Sequence, residues 1–154
     1  MHAPEATKLM AAAETLARSL GHPYLGVEHL VLCMCEQPEG SEVRAVLDLL
    51  IPNLPGFIHQ LREASRLASF SKLPAQLAVT PRLHKILASA QKLAHHKRRK
   101  KMRTMDLLDA IIVEGDSLPA TLLQQYLFEN QPNPHLLQAH YFRGLLANSW
   151  KNRT

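Results

Sequence analysis

Apolar residues recur along this chain at spacings of three and four, the period of an amphipathic helix, and Ala and Leu dominate them. Leu9, Ala13, Leu16, Ala17 and Leu20 form a first stripe, opened by Pro4 in a first helical turn and closed by Gly21. His22 to Gly26 reads as a short loop, and Val27 to Glu36 as a second, mostly apolar helix. Gln37-Pro38-Glu39-Gly40 breaks it, and Ser41 caps a third helix with Val43, Val46, Leu47 and Leu50 inward. Beyond Pro52 and Pro55, the spacing predicts a fourth helix over Phe57 to Leu67, facing inward through Phe57, Ile58, Leu61, Ala64 and Leu67.

The same grammar then returns. Thr80-Pro81 starts a helix carrying Leu83, Ile86, Leu87, Ala90, Leu93 and Ala94. Thr104 is expected to cap the next one, with Asp106 in its first turn favoured by the helix dipole. Leu107, Leu108, Ile111 and Ile112 fill that helix, Gly115-Asp116-Ser117 breaks it, and Pro119 to Phe128 forms another. A shift of 77 residues aligns the halves without a gap from Pro4 to Glu36: Pro4 meets Pro81, Ala13 meets Ala90, Leu16 meets Leu93, Ala17 meets Ala94 and Leu30 meets Leu107. The economical reading is an internal duplication. Two copies are too few for an open solenoid, so the expected fold is all-α, a pseudo-twofold bundle of about eight helices. The repeats span about 4–70 and 81–130 within a domain over 1–130. Residues 131–154 form a tail in which Leu137, Tyr141 and Leu145 make a stripe, with Phe142, Leu146 and Trp150 beside it. That tail reads either as a further helix packed on the bundle or as an exposed amphipathic helix for a partner's groove.

Composition narrows the picture. At 154 residues and 46% hydrophobic, the chain can bury a core of its own. The N-terminal stretch carries Glu5, Lys8 and Glu14 and lacks an apolar signal region, so a soluble, cytoplasmic protein is expected. Cys33 and Cys35, two apart on a helix, diverge and cannot bridge, which predicts reduced thiols, at least one of them buried. The net charge of +5 is concentrated: Lys97, Arg98, Arg99, Lys100, Lys101 and Arg103 carry six positive charges, and without them the chain stands at −1. This block is either a solvated helix end or a patch for an acidic protein or nucleic acid; no aromatic interleaves it, which argues against stacking on single strands.

Catalytic constellations do not emerge. His95 and His96 are adjacent and diverge, and His22 and His29 lie seven apart across a loop, so no metal site is expected. No Ser-His-Asp or Cys-His arrangement stands out, and no G-x-x-x-x-G-K-[ST] is present. A non-enzyme without cofactors is the expectation.

Ala13-Glu14-Thr15-Leu16-Ala17-Arg18-Ser19-Leu20-Gly21-His22, running into Gly26-Val27-Glu28-His29-Leu30-Val31-Leu32, resembles the N-terminal domain of the Clp AAA+ unfoldases of the ClpA and ClpC types. The resemblance covers roughly Ala3 to Phe128 and includes the second Thr-Pro helix start. It implies a tandem four-helix motif and a non-catalytic module that docks adaptors or substrate segments for an ATPase ring, in cis or in trans, in bacterial protein quality control. In ClpC-type domains it further implies paired acidic sites that read phosphoarginine; here Met105 and Asp106 stand where Glu28 and His29 stand in the first repeat. The expected working surface is a groove near the pseudo-twofold, one wall from Tyr24, Glu28 and His29, the other from Met102, Thr104 and Asp106, bordered by the basic run. The rival reading is a small basic helical protein that binds nucleic acid through Lys97 to Arg103.

Overall fold

The computed structural model describes residues 2–66 and 72–130. Among them are seven helices and two very short strands, in the order α1 (Pro4–Ser19), β1 (Tyr24–Leu25), α2 (Val27–Cys35), α3 (Glu42–Leu50), α4 (Leu54–Ala64), β2 (Ala78–Val79), α5 (Pro81–His96), α6 (Thr104–Glu114) and α7 (Leu118–Asn130). The tail's stripe lies outside the described residues.

The 77-residue shift carries α1 onto α5 end for end, and the start of α2 onto the start of α6. Small residues let the paired helices of each repeat approach closely: Ala6, Ala13 and Ala17 on α1, and Ala90 and Ala94 on α5, have no exposed surface. All belong to one continuous core with Leu30, Leu32, Met34, Phe57, Leu61, Leu83, Ile86 and Leu107.

The repeats are related by rotation, not translation. β1 pairs in parallel with β2, matching Leu25 to Val79, and an isolated parallel bridge matches His2 to Met102. Adding 77 to Leu25 gives Met102, and subtracting it from Val79 gives His2. The Thr80 N–H donates to the Leu25 carbonyl at 3.0 Å, and its image, the Ala3 N–H, donates to the Met102 carbonyl at 2.8 Å. A solenoid would send the Leu25 pairing beyond the end of the chain; a twofold exchanges the two ladders.

Helix ends repeat just as closely. After α1 the His22 N–H reaches the Ala17 carbonyl and the Gly21 N–H reaches that of Arg18; after α5 the Arg99 N–H reaches Ala94 and the Arg98 N–H reaches His95. Both are Schellman closures, which need a left-handed residue just past the helix. Gly21 supplies it at φ 72°, but its image is Arg98 at φ 58°. A left-handed side-chain residue costs about 1–2 kcal/mol, partly offset because glycine is looser when unfolded. Arg98→Gly should therefore raise unfolding free energy by about 0.5–1 kcal/mol in urea titrations. A loss of stability instead would show that the Arg98 side chain contributes to the fold.

Two expectations shift. The fourth helix begins at Leu54, three residues early, because Asn53 caps it by accepting the Gly56 N–H; Ile58 is only half-buried and Ala64 is exposed. Thr104 does not cap α6. The N-cap is Arg103, whose side chain makes no capping bond, and Thr104 is the first helical residue.

Candidate functional site

The Schellman closure of α1 turns His22 inward, where it is buried, and the chain then passes through β1 to Gly26, the N-cap of α2. Gly26 has no side chain to cap with, so the cap comes from within: Nδ1 of His29 accepts the Gly26 N–H at 3.0 Å. His29 is therefore a neutral ring with its proton on Nε2, donated to Nδ1 of His22 at 2.8 Å. Burial lowers the His29 pKa and His22 lowers it further, against the opposing charge of Glu28.

Tyr24 closes this pair from outside. Its ring stacks on His22 with centroids 5.5 Å apart and tilts against His29 at 5.2 Å. Its phenol hydrogen-bonds the Glu28 carboxylate; burial, then that bond and that charge, raise its pKa. The carboxylate lies over Gly26, where any Cβ would come within 2.8 Å of both oxygens. The outer face of this corner is thus a phenol and a carboxylate, both half-buried, on a histidine frame.

The second repeat builds the same frame from other chemistry. Arg99, the image of His22, grips Asp106, the image of His29, through two bonds of 2.6 and 2.7 Å. Asp106 also accepts the Arg103 N–H at 2.9 Å, as His29 accepts that of Gly26. Hydrogen bonding to Asp106 raises the Arg99 pKa against burial, and the charges of Asp106, Glu42 and Glu5 add to it. A neutral pair in one repeat has become a bidentate ion pair in the other. Outside, Lys101 and Met105 replace Tyr24 and Glu28.

The expected groove residues differ in exposure. His29, Met102 and Asp106 have no exposed surface and Thr104 is 8% exposed, so these four brace the helix starts. Tyr24 and Glu28 keep exposed surface. Thr104 and Met105 do line a cleft of roughly 270 Å³, but its facing wall is Glu5, Gln37, Ser41 and Glu42. The basic run also divides. Arg99 is committed to Asp106, and Lys97 Nζ lies 3.8 Å from the same carboxylate. Lys97 is nonetheless exposed, as are Arg98, Lys100, Lys101 and Arg103. The sequence signal for the two frames was the shared spacing of seven, His22 to His29 and Arg99 to Asp106.

Cys33 and Cys35 are both buried, and burial pushes their thiols up to about 11 and about 12, far from a reactive thiolate. Among the described residues no group of three or more His, Cys, Asp or Glu could hold a metal ion. Nor is any described helix long and apolar enough to cross a membrane.

Comparison with known proteins agrees with this architecture. The N-domain of ClpV from Vibrio cholerae superposes with a TM-score of 0.65 at 20% identity, over 95% of this chain and 85% of that one. The N-terminal domain of the caseinolytic-protease-associated chaperone ClpD from Arabidopsis thaliana gives 0.60 at 14%, over 94% of each. A solved chain from work on a malarial protein secretion system gives 0.71 at 13%, over 97% and 95%. In sequence, the chaperone protein ClpB of Oceanobacillus iheyensis is 28% identical over 120 residues, which are 77% of this chain and 14% of that protein. This chain therefore matches only a small part of that relative's length. The family model for the Clp repeat N-terminal domain matches residues 2–126, the span over which the two frames and the exchanged ladders repeat. The chain belongs to the Clp repeat N-terminal domain family.

Proposed function

We propose that this chain is a non-catalytic docking module of a Clp-type protein unfolding and degradation system in the bacterial cytoplasm. It receives an adaptor or a substrate polypeptide and presents it to an ATPase ring, in cis or in trans. One observation carries the reading: both repeats hold the start of their second helix on a buried frame of the same design, yet offer unlike chemistry outside it. Tyr24 and Glu28 make one corner anionic and aromatic. Met105 and Thr104 give the other an apolar lip on an acidic cleft. Such asymmetry suits one unsymmetrical peptide better than two identical charged ligands. The exposed cations beside it would steer an acidic partner, acting on association rate more than on final affinity.

The test is binding of a permanently unfolded polypeptide to the whole chain across a range of salt. Glu28→Lys should weaken it about fivefold or more at every salt concentration. Neutralising Lys100 and Lys101 should slow association only at low salt. If duplex DNA binds instead, with an affinity that falls steeply with salt, and Glu28→Lys does not matter, the basic loop is a nucleic-acid site and the docking reading fails.

A further inference from the structure

The hydrogen-bond chain that begins at Gly26 has a fixed direction and no acceptor at its end. A backbone N–H can only donate, so Nδ1 of His29 accepts from Gly26, Nε2 of His29 donates, and Nδ1 of His22 accepts. The other ring nitrogen of His22, Nε2, therefore carries a proton, and nothing among the described residues takes it. His22 is only 3% exposed, with Tyr24 stacked on one ring face and His29 against the Nδ1 edge. A donor shut away from water without an acceptor is unfavourable.

His22 borders a cleft of roughly 280 Å³ where the end of α1 meets the end of α4. Leu20 and Leu32 give the cleft an apolar wall, and Arg62, Glu63, Ser65 and Arg66 complete it. Its cations have donors to spare. A guanidinium carries five N–H groups, yet Arg62 gives one bond to Glu36 at 2.8 Å, and Arg66 one to Glu63 at 3.4 Å. Both pairs are exposed and hold weakly, so either cation can turn to a ligand. Ser65 spends its hydroxyl proton on the Leu61 carbonyl at 2.6 Å and adds no donor. Two guanidinium charges against the one carboxylate of Glu63 leave the lining one unit positive. That balance suits a single negative charge. A phosphate group, at about −1.5 to −2 near neutral pH, would exceed it and be repelled by Glu63.

We propose that this cleft binds a monocarboxylate on a short apolar body. Its oxygens meet the His22 Nε2–H and the guanidinium groups of Arg62 and Arg66, and its apolar part lies on Leu20 and Leu32. The group comes from a free short-chain acid or from the C-terminus of a polypeptide. The inference rests on the histidine relay and does not depend on the docking role.

Isovalerate titrated into the full chain, followed through the ring-nitrogen resonances of the histidines, tests it without any substitution. His22 Nε2 should shift first and furthest. Isovaleramide keeps an acceptor oxygen but not the charge and should bind about tenfold more weakly. Inorganic phosphate should also bind more weakly than isovalerate. Arg62→Gln and Arg66→Gln should each weaken isovalerate about threefold, while Glu63→Gln removes the opposing charge and should tighten it by about as much. All three side chains are exposed, so these variants should fold. A decapeptide ending in a free leucine carboxylate separates the two sources. Binding tighter than isovalerate, and lost when that end is amidated, assigns the cleft to chain ends; binding no tighter assigns it to small acids. No binding of either carboxylate, equal binding of acid and amide, phosphate binding best, or saturation without a shift at His22 would each overturn the proposal.

Discussion

Asp106→Ala should cost about 3 kcal/mol or more in unfolding free energy, a large share of the 5–15 kcal/mol typical of a domain. The carboxylate is fully buried and does two jobs at once. It holds the half-buried Arg99 guanidinium by two short bonds, and it accepts the Arg103 N–H at the start of α6. Alanine leaves a cation without its partner, the larger loss, and an open helix cap worth about 1 kcal/mol. Asp106→Asn keeps a carbonyl for the Arg103 N–H and should lose less. An exposed pair would contribute under about 1 kcal/mol and fade with salt; this one should hold in high salt because water does not reach the carboxylate. The first repeat suggests a rescue. Asp106→His together with Arg99→His imports the neutral frame already used at His22 and His29, and should recover most of the stability near neutral pH. Urea titration at constant m-value measures all of these. A loss under about 1 kcal/mol for Asp106→Ala would mean that the ion pair does not hold the second repeat together.

Much of this fold was legible because the duplication is nearly gapless. Apolar spacing locates the helices, and the 77-residue shift places the starts of α5 and α6 at their observed positions. Where reading failed, the reason was physical. Thr104 looks like a cap by residue type, but a capping side chain can also reach back from the third helical position, and Asp106 and His29 both do so. Leu54 was missed because Pro55 reads as a break, although proline is tolerated in a first helical turn. The site was less legible. His29 and Asp106 look like exposed polar residues at helix starts, and only three-dimensional closure shows that each meets the residue seven positions earlier. The basic run read as one block because sequence cannot show that Arg99 points inward while Arg98 and Lys100 point out.

The two frames differ in the charge they hold. One is the ion pair of Arg99 with Asp106, whereas the other depends on a neutral His29 ring. The His29 pKa in the folded chain lies below its unfolded value of 6.5, chiefly through burial. Above 6.5 the ring is neutral folded or unfolded, and it adds nothing to the pH dependence. As pH falls below 6.5 the unfolded chain takes up a proton that the folded chain refuses, so stability is lost until the folded pKa is reached, and then levels off. Each unit of depression is worth about 1.4 kcal/mol. The groups facing the ring set the balance. Glu28 favours the cation, while His22 and the surrounding apolar wall oppose it, and Tyr24 shields the pair from water. Protonation would put a hydrogen on Nδ1, against the Gly26 N–H, and undo the cap of α2. His29→Ala should therefore cost about 2–3 kcal/mol at neutral pH, through the orphaned Gly26 N–H and the space left behind. His29→Asn keeps an acceptor for that N–H without a titrating ring, so it should lose less and flatten the decline below 6.5. Stability against pH, measured in parallel on the wild-type chain and His29→Asn, decides the matter: identical slopes would clear His29 of any part in acid sensitivity. A steeper wild-type slope would mean that the Tyr24–Glu28 corner loosens in acid, so partner binding through Glu28 should weaken over the same pH interval.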